Sequence, residues 1–261
     1  MTRGGRAVGV TAAALLAGGV AGAADVEPDA RRSGADFMAP ETRAMQADDA
    51  SNPGMLWVLE GERLWAEPAG PEGRACATCH GDAARTMRGV AARYPAFDNG
   101  SDRPVDLAGR IDQCRQARQG APPLARESDP LLALTAYVAH QSRGMPVAPP
   151  GDTRLDPFRE NGRRLFQQPL GQLGLACANC HDERWDGRLG GAPITQAHPT
   201  AYPLYRLEWQ ALGSLQRRLR NCMAGVRAEP LPFGAPELIE LELHLMQRAA
   251  GMPMETPGVR P

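Results

Sequence analysis

The sequence predicts an all-α protein made of two tandem copies of one helical module. Three observations carry this. Gly61-Glu62-Arg63-Leu64-Trp65 is echoed by Gly162-Arg163-Arg164-Leu165-Phe166, 101 residues on (61 to 162). The pentapeptide Cys76-Ala77-Thr78-Cys79-His80 returns as Cys177-Ala178-Asn179-Cys180-His181 at the same spacing (76 to 177), and each half closes on Gly-Met-Pro, at 144–146 and 251–253. Between these markers the apolar residues follow a helical period, and no run alternates as a strand would. A repeat this long signals a duplicated module.

In chain order, Arg3 and Arg6 begin a positive start, Thr11 to Val20 is small and apolar, and Ala21-Gly22-Ala23 is a cleavage-type site. Residues 1–24 therefore read as a signal peptide for export, too short for a membrane anchor, and no later stretch is apolar enough to span. Residues 25–52 form a polar N-terminal arm without periodicity, lying on the protein body or on a partner. The first module covers 53–150 and the second 151–261, with a linker near Val147 to Asp156 marked by Pro149, Pro150 and Gly151. Each module opens with a helix (about 53–65 and 156–167) and continues with a helix over 104–118 or 208–223. A closing helix lies near 129–142 or 235–249, with Asp129-Pro130 and Ala235-Pro236 as starts.

The net charge of −1 gives no global reason to expect nucleic acid or a membrane surface. Aromatic content of 5% is thin for two cores, and a large buried cofactor in each would fill the gap. The cysteines supply one. C-x-x-C-H is the attachment signature of c-type haem: Cys76 and Cys79, and Cys177 and Cys180, would form thioethers, with His80 and His181 as proximal ligands. A zinc or redox pair is the alternative, and the His directly after each pair argues for haem. Two covalently bound haem c groups in small helical units give cytochrome c-like haem modules.

Cys114 and Cys222 remain. They recur 108 residues apart (114 to 222), each with an Arg four residues earlier (Arg110, Arg218) and apolar residues at −7 and −3 (Leu107 and Ile111; Leu215 and Leu219). On a helix the Arg lies beside the sulfur. A Cys114–Cys222 disulfide, two buried thiols, and thiolate ligation of both irons are the open readings. Met145 and Met252 follow the closing helix, which is out of place for a distal ligand. Met87 and Met223 have no counterpart in the other half, and His140, His198 and His244 do not recur.

The paired C-x-x-C-H motifs, Leu215-Gln216-Arg217-Arg218 and Cys222-Met223-Ala224-Gly225-Val226-Arg227-Ala228-Glu229-Pro230 resemble the dihaem A-subunit family of the sulfur-oxidation cytochrome SoxAX. That resemblance implies a periplasmic L-cysteine S-thiosulfotransferase, joining thiosulfate to a cysteine thiol of a carrier protein (SoxYZ-like). Two electrons would leave through haem to a monohaem partner (SoxX-like) in a heterodimer. It implies His80 and Cys114 on the first iron and His181 and Cys222 on the second, with Cys222 able to carry a persulfide. Cys222, Arg218 and Arg248 are the expected reactive set, with Arg227 a further candidate. A guanidinium suits a tetrahedral oxyanion, although each Arg could instead hold a haem propionate. A dihaem electron-transfer cytochrome and a dihaem peroxidase are the rival functions.

Overall fold

A computed structural model describes residues 1–2 and 26–261. The expected signal peptide, 1–24, lies outside the described residues apart from its first two. The N-terminal arm contains two short 3₁₀ turns and helix α1 (Pro40–Ala47). It lies along the second module. The Arg32 amide donates to Gln196 Oε1 at 2.6 Å, and the Val259 amide donates to Gln46 Oε1 at 3.0 Å.

The first module runs α2 (Met55–Ala66), α3 (Cys76–His80), α4 (Ala83–Thr86), β1 (Ala96–Asp98), β2 (Arg103–Val105), α5 (Leu107–Cys114) and α6 (Asp129–His140). The second runs α7 (Asp156–Gln167), α8 (Cys177–His181), β3 (Arg188–Leu189), β4 (Ala192–Pro193), β5 (Leu204–Arg206), β6 (Ala211–Gly213), α9 (Leu215–Gly225), α10 (Pro236–Arg248) and β7 (Gly258–Arg260). The all-α expectation is therefore corrected. Helices dominate, but among the described residues there are three small sheets: β1–β2, β3–β4, and a mixed β6-β5-β7. Strands of two or three residues are too short to show alternation, and hairpin signals such as Asn99-Gly100 carry them instead. The helix expected over 104–118 begins at Leu107, and the one over 208–223 begins at Leu215. In both cases the preceding residues complete a hairpin, and Asp106 or Ser214 caps the first turn.

The echoed glycines hold each module together. α2 packs on α6 and α7 packs on α10. At the crossings a Cβ on Gly61 would stand 2.1 Å from the Ala133 carbonyl oxygen, and one on Gly162 would stand 2.0 Å from that of Glu240. Only glycine lets the backbones approach so closely. Trp65 and Val138 close the core of the first module; Phe166, Leu238, Leu241 and Leu245 close that of the second.

The two Gly-Met-Pro segments join the modules. They run antiparallel, with Gly144 N to Met254 O, Met254 N to Met145 O, Val147 N to Met252 O and Gly251 N to Val147 O all at 2.8 Å. Ala92, Ala139, Val147, Ala249 and Met254 form an apolar core beneath this strap. Beside it lies a cavity of ≈100 Å³ lined by Tyr94 and Tyr202, with Asp106, Arg126, Gln216 and Glu242. Among the described residues no helix is long and apolar enough to cross a membrane.

Candidate functional site

Each C-x-x-C-H motif is one helical turn, which sets both cysteines on one face and the histidine one residue further on. The residue before the second cysteine anchors the turn: Thr78 Oγ1 accepts from the Ala75 amide at 3.0 Å, and Asn179 Oδ1 from the Ala176 amide at 2.9 Å. All six cysteines are free, so no Cys114–Cys222 bridge forms. His181 Nδ1 lies 2.6 Å from the Thr195 carbonyl. A carbonyl only accepts, so Nδ1 carries the proton and Nε2 presents its lone pair for ligation. His80 packs beside Trp65, ring centroids 5.6 Å apart, and the indole Nε1 donates to the Gly81 carbonyl at 2.9 Å.

Helix α9 brings Cys222 to the His181 side of the second motif, within hydrogen-bond reach of the imidazole. Burial works to raise this thiol, but the His181 contact, Arg218 and Arg206 outweigh it and hold it below the usual thiol value. Cys177, pushed up to about 12 chiefly by burial, also feels the Cys222 sulfur. In the first module Cys114 stands near Cys76 and Tyr94. The residues fit haem c: in each module two thiols on one turn, an adjacent imidazole, and a further sulfur close to the motif. That sulfur faces the imidazole in the second module.

Around Cys222 the positive charge is concentrated. Tyr202 is pushed up to about 12 by burial, against the pull of Arg218 and Arg260. Arg218 has no carboxylate within ion-pair distance among the described residues. Arg248, expected in the reactive set, reaches the residue that follows His181. Its Nη2 pairs with Asp182 Oδ1 at 2.6 Å, and its guanidinium lies 4.7 Å above the Phe166 ring. Arg227 is exposed, at φ 58° in the turn after α9. Met145 and Met252 belong to the inter-module strap, and Met87 and Met223 pack in the cores. His198 Nδ1 lies 2.9 Å from the Arg32 carbonyl, and His244 packs on Phe166 at 5.3 Å.

Sequence reasoning passed over two groups here, the tyrosines Tyr94 and Tyr202 and the residues Asp98 and Arg206. Their signal was available, since Tyr94-Pro95 and Tyr202-Pro203 recur at the same offset of 108 as the two cysteines (94 to 202).

A family model described as SoxA/TsdA, cytochrome c domain, matches residues 60–147 and 161–254. The L-cysteine S-thiosulfotransferase subunit SoxA of Pseudaminobacter salicylatoxidans is 38% identical over 87% of this chain and 80% of its own. The SoxA subunit of Rhodovulum sulfidophilum is 35% identical over 89% and 81%. The crystal structure of SoxXA from P. pantotrophus superimposes with a TM-score of 0.85 at 29% identity, covering 88% of this chain and 87% of that one.

Proposed function

This chain belongs to the SoxA/TsdA cytochrome c family, and from that premise we propose that it is the catalytic subunit of an L-cysteine S-thiosulfotransferase. Its cytochrome c domain implies covalently bound haem c. The proposal assigns two: one on Cys76, Cys79, His80 and Cys114, the other on Cys177, Cys180, His181 and Cys222. It further assigns a signal peptide at 1–24 with export to the periplasm, an arm at 25–52, and modules at 53–150 and 151–261. The partners are a SoxX-like monohaem cytochrome and a SoxYZ-like carrier bearing a reactive cysteine.

The observation that carries the reading is Cys222 facing His181 with Arg218 beside it. The Cys222 thiolate bonds to the sulfane sulfur of thiosulfate, giving a Cys222 S-thiosulfonate as two electrons leave. The carrier thiol, losing its proton, then attacks that sulfane sulfur, and Cys222 departs as thiolate. The net change consumes thiosulfate and one thiol and releases one proton and two electrons. A persulfide at Cys222 would place the reacting sulfur one atom further out. Haem c, when bound, would supply the redox capacity for the two electrons, with the monohaem partner as their acceptor. Arg218 offsets the sulfonate charge, and the Thr195 carbonyl keeps the His181 proton on Nδ1.

The ferric EPR spectrum of the isolated protein tests the ligand set. Low-spin thiolate signals are expected. A high-spin open iron would favour the peroxidase, and Met or His ligation on both irons would favour a simple electron carrier.

A further inference from the structure

The modules carry opposite charges at one equivalent position beside the two unpaired cysteines. The third residue of β1 is Asp98, and the third residue of β5, 108 positions on (98 to 206), is Arg206. Asp98, 11% exposed, takes Arg110 Nη1 on Oδ1 at 2.9 Å, and its Oδ2 accepts from the Ser101 amide and hydroxyl at 3.0 and 2.8 Å. The arginine four residues before Cys114 is thus neutralised within its own module.

In the second module that carboxylate is replaced by a second cation. Arg206 is 12% exposed; its Nε donates to the Pro261 carbonyl at 3.0 Å, and its Nη2 pairs at 2.9 Å with Glu208, which is 64% exposed. The register of β5 on β6 repeats that of β1 on β2, so by the duplication the position that meets Arg110 in the first module lies toward Arg218 in the second, four residues before Cys222 on α9. Two part-buried guanidiniums so placed are stabilised by an anion that spans both.

We infer that Arg206 and Arg218 together clamp the sulfonate end of thiosulfate at Cys222, and that Asp98 denies the same anion to the equivalent place in the first module. This rests on the reading of Cys222 as the sulfur that reacts with thiosulfate. Arg206 is a specificity-determining residue: it acts on substrate affinity, while Cys222 carries the bond changes.

The test uses the haem-loaded complex. Arg206→Asp rebuilds the pair found in the first module, and Arg206→Gln removes only the charge, which keeps the test open should the aspartate variant lose haem. KM for thiosulfate is expected to rise about tenfold with kcat within about twofold. Calorimetric titration of thiosulfate into Cys222→Ser, with and without the Arg206 change, separates binding from turnover and should show a Kd about tenfold weaker. An unchanged KM and Kd overturns the clamp. So does a shifted Soret band or haem potential with thiosulfate affinity intact, which would assign Arg206 to a haem propionate. If Cys222→Ser itself keeps turning over, the underlying function fails instead, whatever Arg206 does.

Discussion

Arg248 and Asp182 form an ion pair at 2.6 Å with side chains only 5% and 8% exposed. It ties the last turn of the closing helix to the residue after His181, with the guanidinium over Phe166. Removing the charge on one side leaves a buried guanidinium without this carboxylate. Asp182→Asn is expected to cost about 3 kcal/mol, a Tm drop of roughly 6–12 °C in differential scanning calorimetry. A drop below about 2 °C would mean that water or the other neighbours of Arg248 carry its charge.

Cys222→Ser is expected to abolish thiosulfate-dependent turnover while haem stays attached, because attachment runs through the four C-x-x-C-H cysteines. Arg218→Ala should lower kcat/KM for thiosulfate by about 10- to 100-fold. Steady-state assays with the pyridine haemochrome content as a control read both. Near-wild-type turnover in the serine variant discards the mechanism.

At the helix crossing of the second module there is no room for a methyl group. Gly162→Ala sets a Cβ against the Glu240 carbonyl and should destabilise by about 2–3 kcal/mol. Gly151→Ala, in the linker where no atom lies within 4 Å, serves as the control and should leave stability within about 0.5 kcal/mol. Equal urea midpoints for the two variants would show that the helices simply slide apart.

The carboxyl of Glu242, turned into the inter-module cavity, is pushed up to about 8 by burial and by Asp106, with Gln216 and Arg126 opposing and Glu127 adding to the rise. Across it, Arg126 Nη2 donates to Asp106 Oδ1 at 3.0 Å. The folded protein keeps this proton to a higher pH than the unfolded chain, whose glutamate titrates near the ordinary value of 4.5. The stability this adds is full below that value and is lost as pH rises through about 8. Glu242→Gln should flatten that decline between pH 5 and pH 9 in urea unfolding (roughly the window set by the two values). A variant with the same slope as wild type would assign the decline to other groups.

The duplication, the C-x-x-C-H turns, the three principal helices of each module and the pairing of Cys114 with Cys222 as equivalent residues were all legible in the chain. Each rests on spacing within one stretch or on comparing one half with the other. The echoed glycines were visible as a repeat, but not as the contact points of crossing helices. The short hairpins before the cysteine helices escaped notice because three residues cannot display a period.

By itself, then, the sequence determined the kind of protein: covalent attachment of haem is written in adjacent residues, and adjacency needs no fold to be read. Only the tertiary structure decided which groups the arginines stand near. Arg218 and Arg206 both help to hold the Cys222 thiol below its usual value, whereas Arg248 pairs with Asp182, 66 residues before it (182 to 248). It also set the segments of Met145 and Met252 side by side as a seam between modules. Such partnerships depend on helix crossing and strand register, which bring together residues far apart in the chain, and no local pattern encodes them.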